Sequence, residues 1–240
     1  MTAPDFTLDG FLGGLIEVRQ PKQGFRAGHD TVLLAAAIPA RAGEHVLELG
    51  SGAGVGSLCL AARVECEITG VELDAALVAL ANENAKANGY AERVKFVAGD
   101  ARSFFGGPYD RGFFNPPFHH ASGDVSPNPA RDAATRDSGD ALHQWTANAL
   151  RQVHKGGTVT LIVRADRVPE LVAAFPRAGL SVLPLRRRAD ESPKRAVVRL
   201  EKGSTAPMRE AKGLVLHETD GTPTSAAEAV LRHAAALDWE

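Results

Sequence analysis

Cysteine is nearly absent from this chain: Cys59 and Cys66 are the only two in 240 residues. Two thiols cannot build a disulfide framework or a four-cysteine zinc site, and both are expected to be reduced and inert. A long apolar run is also missing, since no uninterrupted stretch approaches the roughly 18 residues that a membrane span needs. The first ten residues carry Asp5 and Asp9 where a secretory leader would carry a basic region. The expectation is a cytoplasmic protein with no membrane contact. Excess charge of either sign is lacking as well. Lys and Arg number 27 against 29 Asp and Glu, for a net charge of −2, so the chain as a whole does not read as a polyanion binder.

Charge is nevertheless unevenly spread. Between Arg151 and Lys212 there are 14 Lys and Arg against 6 Asp and Glu, a local surplus of eight. Arg186, Arg187, Arg188, Lys194, Arg195, Arg199 and Lys202 belong to this stretch. It reads either as a phosphate-attracting face or as a solvated basic surface, depending on its position relative to the active cleft.

A chain of 25.3 kDa with 44% hydrophobic residues can bury one large α/β core. Short apolar runs alternate with helical patterns from residue 43 to about 202, the signature of a mostly parallel sheet with helices on both faces. Strands are expected at 45–50, 67–72, 93–98, 110–115 and 157–164, and helices at 54–64, 75–88 and 139–153. A helix near 168–175 follows, then runs at 180–185 and 195–200 that can pair as an antiparallel edge. Ahead of the core, a small strand at 14–18 precedes a helix capped at Asp30-Thr31 and ended by Pro39. Behind it, Leu214-Val215-Leu216 reads as a strand, and Ser225 to Glu228 as a capping box opening a helix to about Leu237. The expected organisation is an N-terminal extension over the cofactor site (1–42), a core (43–202) and a C-terminal strand–helix addition packed on it (203–240).

Two segments carry the chemistry. Val46 to Gly54 reads as a strand entering a glycine turn, where backbone N–H groups and the next helix N-terminus hold polar ligand groups. The glycines fall at 50, 52, 54 and 56 rather than in the G-x-G-x-x-G order of a dinucleotide site, which would need glycine where Val55 stands. With Glu48 ahead of the turn, this points to S-adenosylmethionine rather than NAD. Glu72 ends the next strand, where its carboxylate can accept from both ribose hydroxyls, with Asp74 as a second candidate. Asp100, in Gly99-Asp100-Ala101, can accept from an adenine amino group at the strand after.

The other segment is Phe113-Phe114-Asn115-Pro116-Pro117-Phe118. The Asn115 side-chain oxygen and the Pro116 carbonyl can both accept from one NH2 group, and Phe118 offers a stacking face. An exocyclic base amine is a poor nucleophile because its lone pair is delocalised into the ring. Two acceptors drawing its hydrogens out of plane restore the lone pair, and no strong base is required. A protein glutamine amide presents the same flat NH2, so that acceptor stays open; a small-molecule O-methyl acceptor would leave Asn115 with little to do. A module that senses S-adenosylmethionine or binds RNA without catalysis is the non-enzymatic alternative. His119 and the polar segment 119–137 follow as a candidate substrate clamp. No metal site is expected.

Glu48 to Gly54, Glu72, Asp100 and Asn115 to Phe118 resemble class I methyltransferases of the amino-methylating type. Together with Gln23 to Leu34, Lys194-Arg195 and Gly213 to Glu218, they make most of the chain resemble the bacterial tRNA(Val) adenine-37 N6-methyltransferase family. Phe118 followed by His119 is also similar to ribosomal RNA guanine-N2 methyltransferases. The resemblance implies a Rossmann-like seven-stranded sheet, mostly parallel with an antiparallel edge, and S-adenosylmethionine as methyl donor. It implies an adenine amine beside the tRNA anticodon as acceptor, with Asn115 and Pro116 holding the amine, Pro117 completing the segment and Phe118 stacking. The cofactor set it implies is Glu48, Gly50, Ser51, Gly52, Gly54, Glu72, Leu73, Asp100, Ala101 and Asn115; His119, Arg186, Lys194 and Arg195 are candidates for RNA contact. Monomer and homodimer both remain open.

Overall fold

The computed structural model describes residues 5–116 and 141–240. Pro117, Phe118, His119, the segment 119–137 and the expected helix start at Gly139 lie outside the described residues.

Among the described residues, seven long strands form the main sheet. β3 (His45–Leu49), β4 (Glu67–Glu72), β5 (Val94–Ala98), β6 (Tyr109–Phe114) and β7 (Val153–Arg164) are parallel, in the order β5-β4-β3-β6-β7. β9 (Arg195–Glu201) then pairs antiparallel with both β7 and β8 (Leu180–Arg186), so the expected antiparallel border is present, with its reversed strand between two others. Two two-residue strands, β10 (Arg209–Glu210) and β11 (Leu214–Val215), extend the sheet by pairing parallel with β8.

The central strands alternate apolar side chains to two covered faces. Val46, Ile68, Phe96 and Phe113 pack beneath α1 (His29–Ala37), α2 (Val55–Arg63) and α3 (Ala75–Ala87). Leu47, Leu49, Val71 and Phe114 face the other way, against α4 (Ala141–Gln152). Burial on both faces is why these strands are nearly continuous apolar runs rather than alternating ones. α5 (Val168–Ala174) contributes Leu171 to the same side as α4, and α6 (Ser225–Arg232) contributes Val230 to the α1 side.

Several boundaries differ from expectation, each for a local reason. A hairpin of β1 (Phe6–Phe11) and β2 (Ile16–Pro21) replaces the single small strand at 14–18. Helix α1 begins at His29 behind Gly28, and Asp30 is not its cap: the Asp30 carboxylate accepts from Arg195 Nε at 2.9 Å. The C-terminal cap is Thr224, one residue before Ser225, its hydroxyl accepting from Ala227 N at 3.1 Å. Helix α6 ends at Arg232 rather than near Leu237. β7 starts directly after α4, at Val153, four residues before the expected Gly157.

Candidate active site

The carboxyl ends of β3, β4, β5 and β6 share one edge of the sheet, because Leu49 is in register with Val71 and with Phe114, and Glu72 with Ala98. The chain leaves β3 toward β4 on one side and later returns to β6 on the other. The crevice between β3 and β6 is therefore the topological switch point, where open α/β sheets take their ligands.

The glycine turn is built into this crevice. Gly50, Gly52 and Gly54 all have positive φ (68°, 55° and 89°), a region that L side chains rarely adopt. Their surroundings separate their roles. A Cβ on Gly50 would meet the Trp145 ring at 2.7 Å and one on Gly54 would meet Phe96 at 2.7 Å, so these two glycines serve close packing. A Cβ on Gly52 would meet nothing within 4 Å, so this position faces open space. Beside it, the buried Ser51 hydroxyl has no hydrogen-bond partner among the described residues.

Glu72 props the turn from the neighbouring strand: one carboxylate oxygen accepts from Gly52 N at 2.9 Å and the other from Asp74 N at 3.0 Å. Asp74 itself caps α3 by accepting from Ala76 N. Glu48 points the other way. It is 5% exposed beneath α2, with one oxygen accepting from Ser57 N at 3.0 Å and Ser57 Oγ at 2.5 Å. Burial pushes its carboxyl up to about 8 despite the two Ser57 hydrogen bonds, which pull it down. Its side chain leaves no room for a Cβ on Gly56.

At the end of β5, the Asp100 carboxylate is gripped by Arg102, with Nη2 at 2.6 Å and Nε at 3.0 Å, and this guanidinium holds it below the usual carboxylate range. Ala101 is buried, and its carbonyl accepts from Asn148 of α4 at 2.9 Å. Leu73, directly after Glu72, leaves 48% of its surface exposed, an apolar face beside the turn.

Across the crevice, Asn115 and Pro116 follow the last residue of β6. Pro116 is buried, and Asn115 Oδ1 is a buried oxygen with no hydrogen-bond partner among the described residues. Such an acceptor costs about 1–3 kcal/mol when left unmet, so it is an oxygen awaiting a donor. Trp145, on α4, is a residue that the sequence reading did not select. Its ring meets Phe114 edge-on at 5.8 Å and lies against Gly50, forming a wall between the turn of β3 and the end of β6.

The basic stretch reaches the same edge. β9 runs backwards, so its first residue, Arg195, lies opposite Arg164 at the carboxyl end of β7 and opposite Leu185 near the end of β8. Lys194 is exposed beside it, and Arg186 closes β8 with Nη1 on the Lys212 carbonyl at 3.2 Å. Lys202 does not belong to this group, because its N–H bonds to the Gly157 carbonyl toward the opposite edge. No group of three or more His, Cys, Asp and Glu able to hold a metal occurs among the described residues. No helix among them is long and apolar enough to cross a membrane.

A parallel sheet with its reversed strand near one border, a glycine turn at the switch point and Asn-Pro after the adjacent strand make this a Rossmann-like methyltransferase fold. The chain belongs to the methyltransferase small-domain family, whose model matches residues 26–169. Over 218 residues it is 31% identical to a protein of Aeromonas hydrophila named tRNA1(Val) (adenine(37)-N6)-methyltransferase, covering 89% of this chain and 91% of that one. A protein of the same name from Tolumonas auensis is 31% identical over 166 residues, covering 68% and 69%. Among solved structures, an Agrobacterium tumefaciens protein described as a predicted O-methyltransferase superposes with a TM-score of 0.72 over 87% of this chain and 98% of its own. At 23% identity that likeness speaks for the fold alone.

Proposed function

We propose that this enzyme transfers a methyl group from S-adenosylmethionine to an exocyclic amino group, and that its acceptor is N6 of an adenine in tRNA. The observation that carries the reading is the buried, unpartnered Asn115 Oδ1 at the switch point, one strand away from the glycine turn. The names of the relatives at 31% identity support adenine in tRNA over the glutamine and guanine alternatives.

The turn fits the cofactor on two counts, the open space at Gly52 and the unmet Ser51 hydroxyl. Gly50 to Gly54 would hold its polar tail, Glu72 the ribose, and Leu73, Asp100 and Ala101 the adenine. Glu48 acts through the turn by anchoring Ser57 in the first turn of α2. When bound, S-adenosylmethionine supplies a methyl made electrophilic by its sulfonium sulfur.

The chain's own contribution is to bind and orient the amine. Asn115 Oδ1 accepts one of its hydrogens and the Pro116 carbonyl the other, which localises the nitrogen lone pair away from the ring. Pro117 stiffens the segment, Phe118 stacks on the base and His119 contacts RNA. Stacking of this kind contributes about 1–3 kcal/mol per base. The methylated nitrogen carries an acidic proton that needs no dedicated base. Arg186, Lys194 and Arg195 attract the RNA backbone toward this edge. Residues 1–42 cap the cofactor site, residues 203–240 pack on the core of residues 43–202 as a strand–helix addition, and the protein acts in the cytoplasm.

Replacing Asn115 by Ala tests the mechanism. The expected result is loss of turnover by at least about a hundredfold with S-adenosylmethionine affinity unchanged within about twofold. Retained turnover would overturn it.

A further inference from the structure

Two sequence signatures from opposite ends of the chain, 23–34 and 213–218, contain none of the residues assigned to holding the cofactor or the acceptor amine, yet they meet in space. Between the β1–β2 hairpin, the start of α1 and the segment after β11 lies a cavity of about 610 Å³. This is within the range of nucleotide-sized sites. None of Glu48 to Gly54, Glu72, Asp100 or Asn115 lines it.

Its lining has two characters. Phe11 and Leu216 supply apolar surface, while Arg26, His29, His217 and Arg232 supply groups that carry or can take positive charge. Arg26 is neutralised by Asp9 at 2.6 Å. Arg232 pairs with Glu228 on its own helix at 3.3 Å, an exposed pair that leaves it able to serve an anion. His217 Nδ1 is a buried ring nitrogen with no hydrogen-bond partner among the described residues. Next in the chain to Arg26, and outside the lining itself, Phe25 leaves 57% of its surface in solvent. Exposed aromatic surface interleaved with cationic side chains is the composition of single-strand nucleic-acid grooves.

Two of its lining residues are also tied to the basic edge. Leu216 N donates to the Arg186 carbonyl and His217 N to the Arg187 carbonyl, each at 2.9 Å. On the other wall, Asp30 pairs with Arg195. A strand of RNA laid over Arg195 and Arg186 therefore arrives at this opening.

We propose that the cavity is a second RNA contact, which takes a nucleotide of the substrate strand other than the one that is methylated. The base lies against Phe11, Leu216 and the exposed Phe25, and the phosphate meets Arg232 and His217. This rests on the reading of the acceptor as RNA. It adds a grip on the RNA at a distance from the reacting amine, which fixes the strand before the target base enters the crevice.

The test uses the full-length enzyme, S-adenosylmethionine and an unmodified tRNA that the wild type methylates. Phe25→Ala, His217→Ala and Arg232→Ala alter exposed or unpartnered groups. Each is expected to raise the KM for tRNA at least about fivefold while kcat and the KM for S-adenosylmethionine stay within about twofold. Arg232→Ala should also reduce the salt slope of RNA affinity by about one. As a check that needs no variant, wild-type enzyme irradiated with 4-thiouridine-substituted tRNA should cross-link within residues 10–32 or 214–232. Unchanged KM values, or cross-links confined to other regions, would overturn the second site while wild-type methylation of tRNA left the proposed function standing. A wild type that methylates no RNA would overturn both.

Discussion

The ring of Trp145 occupies the space where Gly50 would carry a Cβ, with Cη2 and Cζ3 at 2.7 and 2.8 Å from that point. This contact joins α4 to the last turn of β3, and the same ring meets Phe114 ahead of Asn115. The glycine turn and the Asn115-Pro116 segment thus share one wall. Gly50→Ala must displace the ring and hold alanine at φ 68°, at a cost of about 2–4 kcal/mol. The expected outcome is a melting temperature lower by roughly 5–15 °C and cofactor binding at least tenfold weaker, read by thermal unfolding and calorimetry.

Glu72 joins the turn of β3 to the start of α3 through Gly52 N and Asp74 N. Hydrogen bonds to a charged group contribute about 1.5–3 kcal/mol each. Glu72→Ala should weaken S-adenosylmethionine binding by about 10- to 100-fold, both by freeing the turn and by removing the proposed ribose acceptor. Affinity within twofold of wild type would remove Glu72 from the site.

Asn84, 1% exposed on α3, stitches the hairpin to the turn: its Nδ2 donates to the carbonyls of Arg19 and Ala53 and its Oδ1 accepts from Arg19 N. Asn84→Ala leaves three backbone groups to find new partners. A loss of about 2–4 kcal/mol is expected, with proteolysis or hydrogen exchange locating the loosening at residues 5–28. Uniform loosening across the sheet would argue against this role.

Glu48 gives the protein a pH dependence of known sign. Its carboxyl is raised to about 8 by burial, against an ordinary value of 4.5. Folded protein therefore retains a proton that the unfolded chain releases, and the associated stability is full below pH 4.5 and is lost as pH rises to about 8. Glu48→Gln keeps the shape without the titration. Its melting temperature should gain on that of the wild type between pH 5 and 8.5; a constant difference would show that the carboxyl does not titrate in that window.

Much of the fold was legible because the strand ends are marked chemically. Apolar runs stop at Gly50, Glu72, Gly99 and Asn115, and the spacing of Leu77, Leu80, Ala81 and Asn84 assigns α3 its buried face. The hairpin was harder to see because Phe6 to Phe11 is only partly buried and interrupted by Asp9 and Gly10, so its alternation is weak. Asp30 read as a cap because its true partner, Arg195, is 165 residues away. Thr224 and Ser225 are both good caps, and local sequence does not choose between adjacent hydroxyls. At the site, the glycine spacing was visible, but the division of labour was not: only packing shows Gly50 facing Trp145 and Gly52 facing open space. Trp145 itself had a faint signal, a single indole three residues after Leu142 and four before Ala149 on the core face of α4.

The central claim is that N6 of an adenine in tRNA is the acceptor. The most direct measurement is transfer of labelled methyl from S-adenosylmethionine to separate tRNA, ribosomal RNA and protein fractions, followed by nucleoside analysis of any labelled RNA. Label in tRNA recovered as N6-methyladenine is the predicted result. Label recovered as N2-methylguanine, or found only in protein, would contradict it.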